Sequence, residues 1–211
     1  MNDKIVITIG RQYGSGGRTI GQMLSEKLGI HYYDKELLKL ASEDSGINEA
    51  LFVGADEKLK STRLFKIAHS VYHGELIPPE SDDFVSTQNL FNYQAKIIKK
   101  LADEESCIII GRCADFILKD YDNVLSVFIH APHDYCMEQA AKKHSMSPKE
   151  LERFIAKTDK HKSEYYKYYT GRDWTDARNY DLCLDSSKLG FDRCVEEIIA
   201  YMHVRFKNIE S

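Results

Sequence analysis

The sequence predicts an α/β fold, with a parallel sheet of five strands flanked by helices, in a single domain of 211 residues. Three observations support this prediction. Short β-branched runs end at turn-forming residues, apolar residues recur with helical spacing between these runs, and a glycine-rich loop joins the first run to the first helical segment. Strands that alternate with helices form parallel sheets with right-handed crossovers, and such sheets bind ligands at the carboxyl ends of their strands.

The elements can be assigned in chain order. Ile5–Ile9 is apolar on both faces, as a buried parallel strand is, and it stops at Gly10. The remaining strands are predicted at residues 31–33, 107–110, 124–129 and 180–184. Helices are predicted at residues 20–28, 35–40, 151–169 and 191–206.

Two intervals interrupt this alternation. Residues 45–86 contain two consecutive prolines and a polar run, which predicts an irregular insertion on the acceptor (substrate) side of the domain. Residues 142–178 are predicted to form a lid. Within them, residues 142–167 hold eight Lys or Arg against four Asp or Glu, in a chain whose net charge is −4. We therefore expect the lid to cover an anionic ligand.

Composition excludes several classes of partner. The net charge of −4 provides no basic field, so the sequence predicts no nucleic-acid partner. No apolar run reaches the roughly 18 residues of a membrane span, so we expect no membrane partner. The five cysteines form no CxxC pair, and their odd number fits free thiols in a reducing cytoplasm. The sequence thus predicts a cytoplasmic protein.

The segment GRQYGSGGRT, residues 10–19, has the physical arrangement of a phosphate-binding loop. Small residues let successive backbone N–H groups turn toward an anion, and the following helix presents the positive end of its dipole. The GxxxxGK[ST] pattern is broken twice, because Gln12 replaces the first glycine and Arg18 replaces the lysine. Arginine still neutralises phosphate and can bind two oxygens at once. The alternative is a glycine-rich connection that binds nothing.

The context of the loop favours the phosphate site, because a buried strand precedes it and an amphipathic helix follows it. Thr19 keeps the hydroxyl that would ligate Mg²⁺. The residues expected to bind the phosphates of ATP are Gly14, Ser15, Gly16, Gly17, Arg18 and Thr19.

Two further polar residues lie just past strand ends. Arg112 follows the strand at residues 107–110, and it is either a phosphate clamp or an arginine of the surface. Asp34 follows the strand at residues 31–33. It could cap the next helix, or it could accept the proton of an acceptor hydroxyl and orient Mg²⁺ through water.

The predicted lid helix carries a cation on its apolar face. That face is formed by Leu151, Ile155, Thr158, Tyr165 and Tyr169. Lys162 falls on the same face, where a cation needs a partner. One interpretation is a local ion pair with Asp159; the other, which we prefer, is a cation that meets phosphate when the site closes. The tyrosines at positions 165, 166, 168 and 169 either stack on a base or, more commonly, pack within the protein.

A zinc site is a less favoured alternative to magnesium. His130, His133 and Cys136 have the spacing of soft metal ligands, but the sequence offers no obvious fourth ligand. Mg²⁺ that arrives with a nucleotide is the metal we expect.

Several segments are similar to the cytidylate kinase-like family of P-loop proteins, and the similarity runs nearly end to end. They are Tyr13–Arg18, Tyr32–Asp34, Ile108–Asp115, Tyr165–Gly171, Trp174 and Asn179–Leu182. An arginine in the loop is usual in that family, which favours Arg18 as a functional replacement for lysine. The resemblance implies a P-loop NTPase fold, a three-layer sandwich with a lid and a nucleotide-monophosphate-binding insertion.

The resemblance also implies an enzyme, a phosphotransferase that moves the γ-phosphoryl group of ATP, with Mg²⁺, to a nucleoside monophosphate or a similar small-molecule acceptor. The catalytic residues would be Arg18, Asp34, Arg112 and Lys162. True cytidylate kinases phosphorylate CMP or dCMP. Two alternatives stay open: a kinase of another small metabolite, and a nucleotide-binding regulatory module with little turnover.

The sequence differs from true cytidylate kinases where the acceptor binds. Lys35 and Glu36 follow Asp34, where those enzymes carry Thr or Ser and then Gly. Cys113 replaces an aspartate, and Lys162 replaces a lid arginine. We therefore expect CMP to be a poor acceptor.

Overall fold

The computed structural model describes residues 4–58 and 74–206. The strands are β1 (Val6–Arg11), β2 (His31–Tyr33), β3 (Cys107–Ile110), β4 (Val124–His130) and β5 (Leu182–Asp185). The helices of the described residues are α1 (Gly17–Leu28), α2 (Glu36–Ser45), α3 (Glu49–Lys58), α4 (Thr87–Glu104), α5 (Ala114–Ile117), α6 (His133–Ala141), α7 (Pro148–Thr170) and α8 (Ser186–Arg205). A 3₁₀ turn at Ala177–Asn179 precedes β5.

The five strands form one parallel sheet in the order β2-β3-β1-β4-β5. This confirms the predicted α/β fold. The central strand β1 pairs with β3 on one side and β4 on the other, with Ile9 opposite both Ile110 and Val127. The carboxyl end of β1 therefore lies between those of its two neighbours. Residues just past β1 and β3 meet at this edge of the sheet.

Alternate residues of the strands face two separate cores, which makes the domain a three-layer sandwich. In β3, Cys107 and Ile109 belong to the core under α2, α4 and α5, whereas Ile108 and Ile110 belong to the core under α1 and α8. All four side chains are buried. Strands that are apolar on both faces are what a sheet covered on both sides requires.

The interval 45–86 is less irregular than the sequence predicts. It contains α3, in which Phe52 and Ala55 are buried in the core shared with α2 and α4. The prediction is wrong here because Leu51 and Val53 are exposed on either side of Phe52, and they hide the helical period. Residues 59–73 of the proposed insertion lie outside the described residues.

The last two long helices match the prediction, but both begin earlier than predicted. Helix α7 begins earlier than expected because Ser147 and Glu150 form a capping box. Helix α8 begins at Ser186 and is interrupted at Gly190, which has φ 73° and ψ 170°. The predicted helical start at Phe191 therefore corresponds to the second segment of α8.

Two further predictions concern cysteines and membranes. All five cysteines are free thiols, as the sequence predicts. Over residues 4–58 and 74–206, we find no helix with the length and apolar character that a membrane crossing needs.

Candidate functional site

The glycine loop between β1 and α1 has the backbone of an anion cradle. Gly14 and Gly16 have φ of 81° and 84°, a region that side chains rarely adopt. A Cβ at Gly14 would collide with the backbone of Cys136, and one at Gly16 would collide with the ring of Phe191. Helix α1 starts at Gly17, and the N–H groups of its first turn have no acceptor within the helix. These N–H groups are the donors that a phosphate would use.

Three contacts hold the loop from beneath. Gln12, which stands where the pattern has glycine, accepts the N–H of Ala131 on its side-chain oxygen at 3.1 Å. The Ser15 hydroxyl donates to the carbonyl of Gln12 at 2.9 Å. The hydroxyl of Ser186 donates to the carbonyl of Ser15 at 2.6 Å and is fully buried. Gln12, which stands in place of the glycine, thus joins the loop to the connection after β4 through a hydrogen bond.

Two adjoining cavities lie at the strand ends. The loop cavity has a volume of about 360 Å³ and is lined by the loop, by α1 and by residues of α6 and α7. The strand-end cavity has a volume of about 460 Å³ and is lined by the ends of β1, β2 and β3 and by α7. Four residues line both cavities, and three of them are cationic. The shared residues are Arg11, Arg18, Thr158 and Lys162.

The predicted residues divide between these two cavities. Gly14, Gly16, Gly17 and Thr19 line the loop cavity, whereas Asp34 and Arg112 line the strand-end cavity. Ser15 is fully buried beneath the loop. The structure therefore brings the two groups of residues to the same edge of the sheet.

Arg18 and Asp34 form a two-point ion pair between the cavities. Arg18 Nε lies 2.8 Å from Asp34 Oδ2, and a terminal nitrogen of Arg18 donates to Oδ1 at 3.3 Å. The Arg18 side chain is 51% exposed, whereas that of Asp34 is 18% exposed. The alternative in which Asp34 caps α2 is wrong. Lys35 occupies the N-cap, and no side chain caps that helix.

Arg11 is a site residue that the sequence analysis missed. It is the last residue of β1, and a Cβ at Gly111 would collide with its guanidinium. The pKa of Arg11 is lowered to about 10, chiefly by burial; the charge of Asp34 opposes this shift, and the charges of Arg18 and Arg112 contribute to it. Several cations thus surround the carboxylate of Asp34. The negative charge of a bound phosphate would reduce the repulsion between these cations.

Arg112 is aimed into the strand-end cavity by an unusual backbone. Gly111, Arg112 and Cys113 have φ of 68°, 55° and 56°, and non-glycine residues in this region cost about 1–3 kcal/mol each. A terminal nitrogen of Arg112 donates to the side-chain oxygen of Gln94 at 3.1 Å. Arg112 is half-buried and is therefore not a freely solvated surface arginine. Such strain is concentrated at functional sites.

Lys162 reaches the loop from α7. Its ammonium lies 2.9 Å from Asp159 Oδ1 and donates to the carbonyl of Arg11 at 3.3 Å. Asp159 in turn accepts the backbone N–H of Tyr13 at 2.8 Å. Burial, and next the charge of Arg11, lowers the pKa of Lys162 to about 8, and Asp159 opposes them. The ion pair weighed as an alternative is therefore present, and its lysine also lines both cavities.

The inward face of α7 is as predicted. Leu151, Ile155 and Tyr169 are buried, and Thr158 and Tyr165 are partly buried. Tyr169 stacks on Phe91 with 3.8 Å between ring centroids, so packing explains this tyrosine.

Tyr165 and Tyr166 line the strand-end cavity, and Tyr166 donates its hydroxyl to Asp115 Oδ2 at 2.6 Å. Burial raises the pKa of Asp115 to about 6, although the bond from Tyr166 and the charge of Arg172 oppose the shift. Asp115 is the second site residue that the sequence analysis missed.

The zinc alternative finds no ligand cluster. Across the described parts of the chain, no three His, Cys, Asp or Glu side chains come together to hold a metal. Cys136 is buried, with its thiol directed to the carbonyl of Ala131, and burial raises its pKa to about 11.

Both missed residues share one sequence signal, a charged side chain within a few positions of a strand end, but that signal does not show which segments become neighbours. Arg11 directly follows Gly10, and Asp115 lies five residues past Ile110. Because Arg11 is a cation and Asp115 an anion, no single charge pattern links both of them to the glycine loop. Their participation became visible only when the strands were placed side by side.

Comparison with protein families agrees with this architecture. The model of the "Cytidylate kinase-like family" matches residues 6–188. A relative named cytidylate kinase from Methanopyrus kandleri is 27% identical over 197 residues, which cover 89% of this chain and 88% of the relative.

Solved structures give the same fold. An uncharacterized protein from Eubacterium ventriosum has 29% identity and a TM-score of 0.69, with 94% of this chain and 98% of that protein covered. Shikimate kinase from Bacteroides thetaiotaomicron superposes with a TM-score of 0.51 at 13% identity, with 96% and 98% covered. At that identity the likeness concerns the fold alone.

Proposed function

Because this chain belongs to the cytidylate kinase-like family, we propose that it transfers the γ-phosphoryl group of ATP to a small acceptor bound in the strand-end cavity. Kinases of this fold catalyse phosphoryl transfer mainly by positioning and by charge neutralisation. A protein with that function needs two adjoining binding sites and cations between them. The observation that carries the proposal is that the two cavities share Arg11, Arg18 and Lys162.

The loop cavity suits the donor nucleotide. Its first-turn N–H groups, the left-handed Gly16 and the cations at its inner end are complementary to a chain of phosphates. Mg²⁺ fits the same place, because Thr19 supplies a hydroxyl and the phosphates supply the other oxygen ligands. When bound, Mg²⁺ neutralises charge that develops on the phosphates.

We propose that Arg18 exchanges partners during the reaction cycle. In the structure it is paired with Asp34, but its exposed side chain can turn toward a phosphate of higher charge. That movement would release Asp34 to accept the proton of an acceptor hydroxyl or to hold a metal-bound water. Arg11 and Lys162 are already at the boundary between the cavities and would stabilise the transferring group.

The strand-end cavity suits an anionic acceptor. Besides the shared cations, it is lined by Lys35, Arg112 and Lys157. A nucleoside monophosphate is the acceptor that the family name suggests, and Arg112 would then clamp its phosphate.

A second candidate is a small hydroxylated acid, phosphorylated on a hydroxyl. The cations Lys35, Arg112 and Lys157 suit its carboxylate. Cys113, which is 3% exposed, disfavours CMP, because it offers a thiol where a cytidylate-binding carboxylate is expected. For this reason we expect a kcat/KM for CMP below about 10⁴ M⁻¹s⁻¹, the lower end of the ordinary enzymatic range.

An acceptor screen tests the proposal. ADP release from ATP·Mg²⁺ would be measured with CMP, dCMP, other nucleoside monophosphates, shikimate, gluconate and water alone. We expect at least one acceptor to raise ADP release above the rate with water and to yield a phosphorylated product. Asp34→Asn should suppress that stimulation, whereas Asp44→Asn, in an ion pair with Lys96 outside both cavities, should not.

If ATP binds but no acceptor stimulates its turnover, the regulatory-module alternative holds and the kinase proposal is wrong. A normal kcat/KM for CMP would instead contradict only the expectation that CMP is a poor acceptor.

A further inference from the structure

The two ends of the strand-end cavity have different chemistry. One end adjoins the loop cavity and carries the shared cations Arg11, Arg18 and Lys162. Asp115 lines the strand-end cavity but not the loop cavity, and it also lines a separate polar cavity of about 400 Å³, so it marks the end that does not adjoin the loop. A ligand that spans the cavity therefore meets cations at the reacting end and a carboxylate at the far end.

Asp115 is held in a fixed orientation. The hydroxyl of Tyr166 donates to its Oδ2 at 2.6 Å, and Tyr166 is 3% exposed. Burial, and next the charge of Asp115, holds the pKa of Tyr166 far above its ordinary value, so this hydroxyl stays protonated and donates. A carboxylate offers about four lone-pair positions. The bond from Tyr166 uses one of them, and the backbone N–H groups of Asp115 and Phe116 use two more. The carboxylate can therefore accept a further hydrogen bond from a molecule in the cavity.

The protonation state of Asp115 favours a ligand that donates a hydrogen bond. Its pKa of about 6 means that the group is mostly a carboxylate at neutral pH, although burial opposes the charge. The groups that face it are Tyr166, Arg172 and Tyr180. Burial raises the pKa of Tyr180, as it does that of Tyr166, so both hydroxyls stay neutral. Arg172 is the cation among these groups. A partly desolvated carboxylate gains from each added donor.

We propose that Asp115 selects the acceptor by accepting a hydrogen bond from a hydroxyl or amino group at the end of the acceptor remote from its anionic group. The acceptor class is then a small molecule with a phosphate or carboxylate at one end and a neutral hydrogen-bond donor at the other. This inference rests on the proposed function, because it assumes that the strand-end cavity holds the acceptor.

A purely structural role would make a different prediction. The Asp115–Tyr166 bond also joins α5 to α7, so loss of the carboxylate could loosen that contact without affecting ligand choice. Asp115→Asn separates the two roles. The amide oxygen can still accept the bond from Tyr166, while the amide nitrogen turns an acceptor of hydrogen bonds into a donor.

The experiment compares matched acceptors that differ in one group. Steady-state ADP release from ATP·Mg²⁺ would be measured with CMP and the 5′-monophosphate of 2-pyrimidinone riboside, and with AMP and the 5′-monophosphate of purine riboside, where the second member of each pair lacks the exocyclic amino group alone. In the wild type we expect the member that carries the amino group to have the higher kcat/KM by at least about tenfold. In Asp115→Asn we expect that ratio to fall by at least about tenfold, with the KM for ATP unchanged.

Two variants serve as controls. Asp120→Asn removes an exposed carboxylate from the same connection and should leave the ratio unchanged. Tyr166→Phe keeps the carboxylate but removes the hydroxyl that orients it, and it should give an intermediate ratio.

The outcomes are distinguishable. A folded Asp115→Asn protein with acceptor-stimulated turnover and an unchanged ratio would overturn the selection role and leave the kinase proposal intact. If no acceptor stimulates turnover in the wild type, the kinase proposal fails and this inference fails with it.

Discussion

The loop cavity and the strand-end cavity adjoin each other but are built from different parts of the chain. Most of the loop cavity comes from contiguous residues, 11–14 and 16–19, and its donors are backbone N–H groups. The strand-end cavity takes its polar groups from side chains of distant segments, such as Asp34, Arg112 and His161. A backbone cradle recognises phosphate whatever the rest of the ligand is. A cavity of side chains determines which molecule fits.

This difference separates donor binding from acceptor choice. Changes to the loop should affect ATP with every acceptor, whereas changes past the strand ends should affect acceptors selectively. Changes to the shared cations should affect both.

The largest effect is expected at a shared cation. Arg18→Ala should lower kcat by about 10²–10³-fold, because a charge that stabilises the transferring phosphoryl group is lost. Arg18→Lys should keep part of the activity, since the charge remains but two-point binding does not. Arg178→Ala is the control, because Arg178 pairs with Asp176 outside both cavities. Full activity in Arg18→Ala would remove Arg18 from the mechanism.

A smaller effect, confined to the donor, is expected in the loop. Gly16→Ala should lower kcat/KM for ATP by about 10–100-fold, equivalent to about 1.4–2.8 kcal/mol. The added Cβ would collide with Phe191 and displace the cradle. Gly29→Ala is a matched control, because Gly29 has a similar φ of 65° but open space around its Cβ position. Equal losses in the two variants would mean that backbone strain, and not the cradle, is responsible.

The pH dependence should report Lys162. Because the pKa of this lysine is about 8, the cation is lost as the pH rises above that value. Since kcat/KM reflects the free enzyme, kcat/KM for ATP should fall about tenfold per pH unit above pH 8. In Lys162→Arg, kcat/KM for ATP should stay constant up to pH 9, because arginine keeps its charge. Lys167→Arg, which changes an exposed ion pair, should show the same fall as the wild type. A wild-type profile that is flat to pH 9 would exclude this role.

The last effect concerns the stability of the acceptor end and not the rate of the reaction. The pKa of Asp115 is about 6 in the folded protein and near 4 in the unfolded chain, so folding binds a proton between these values. Stability therefore falls as the pH rises from about 4 to 6. Asp115→Asn should gain about 1–3 kcal/mol of unfolding free energy at pH 7 relative to pH 4. Chemical denaturation at both pH values measures this, and Asp120→Asn should show no such difference.

The fold and half of the site could be predicted from the sequence. Strands such as Ile5–Ile9 are local patterns, and so is the glycine loop, whose residues 14–19 act as one contiguous unit. Such patterns can be predicted from the sequence because the residues that form them are neighbours both in the chain and in the folded structure.

The remaining half depends on contacts between distant segments. The pairing of Arg18 with Asp34, the approach of Arg11 to Gly111 and the bond from Tyr166 to Asp115 join residues far apart in the chain. Periodicity carries no information about which segments become neighbours. Arg11 was overlooked for this reason, although it lies beside the most informative motif of the sequence.

A crystal structure of the protein with ADP, Mg²⁺ and sulfate would test the division between the two cavities most directly. We predict the β-phosphate of ADP within about 3.2 Å of the N–H groups of Gly16, Gly17 and Arg18, and a sulfate beside Arg112 in the strand-end cavity. Arg18 should have left Asp34. A nucleotide bound in the strand-end cavity, with the glycine loop empty, would contradict the assignment of donor and acceptor.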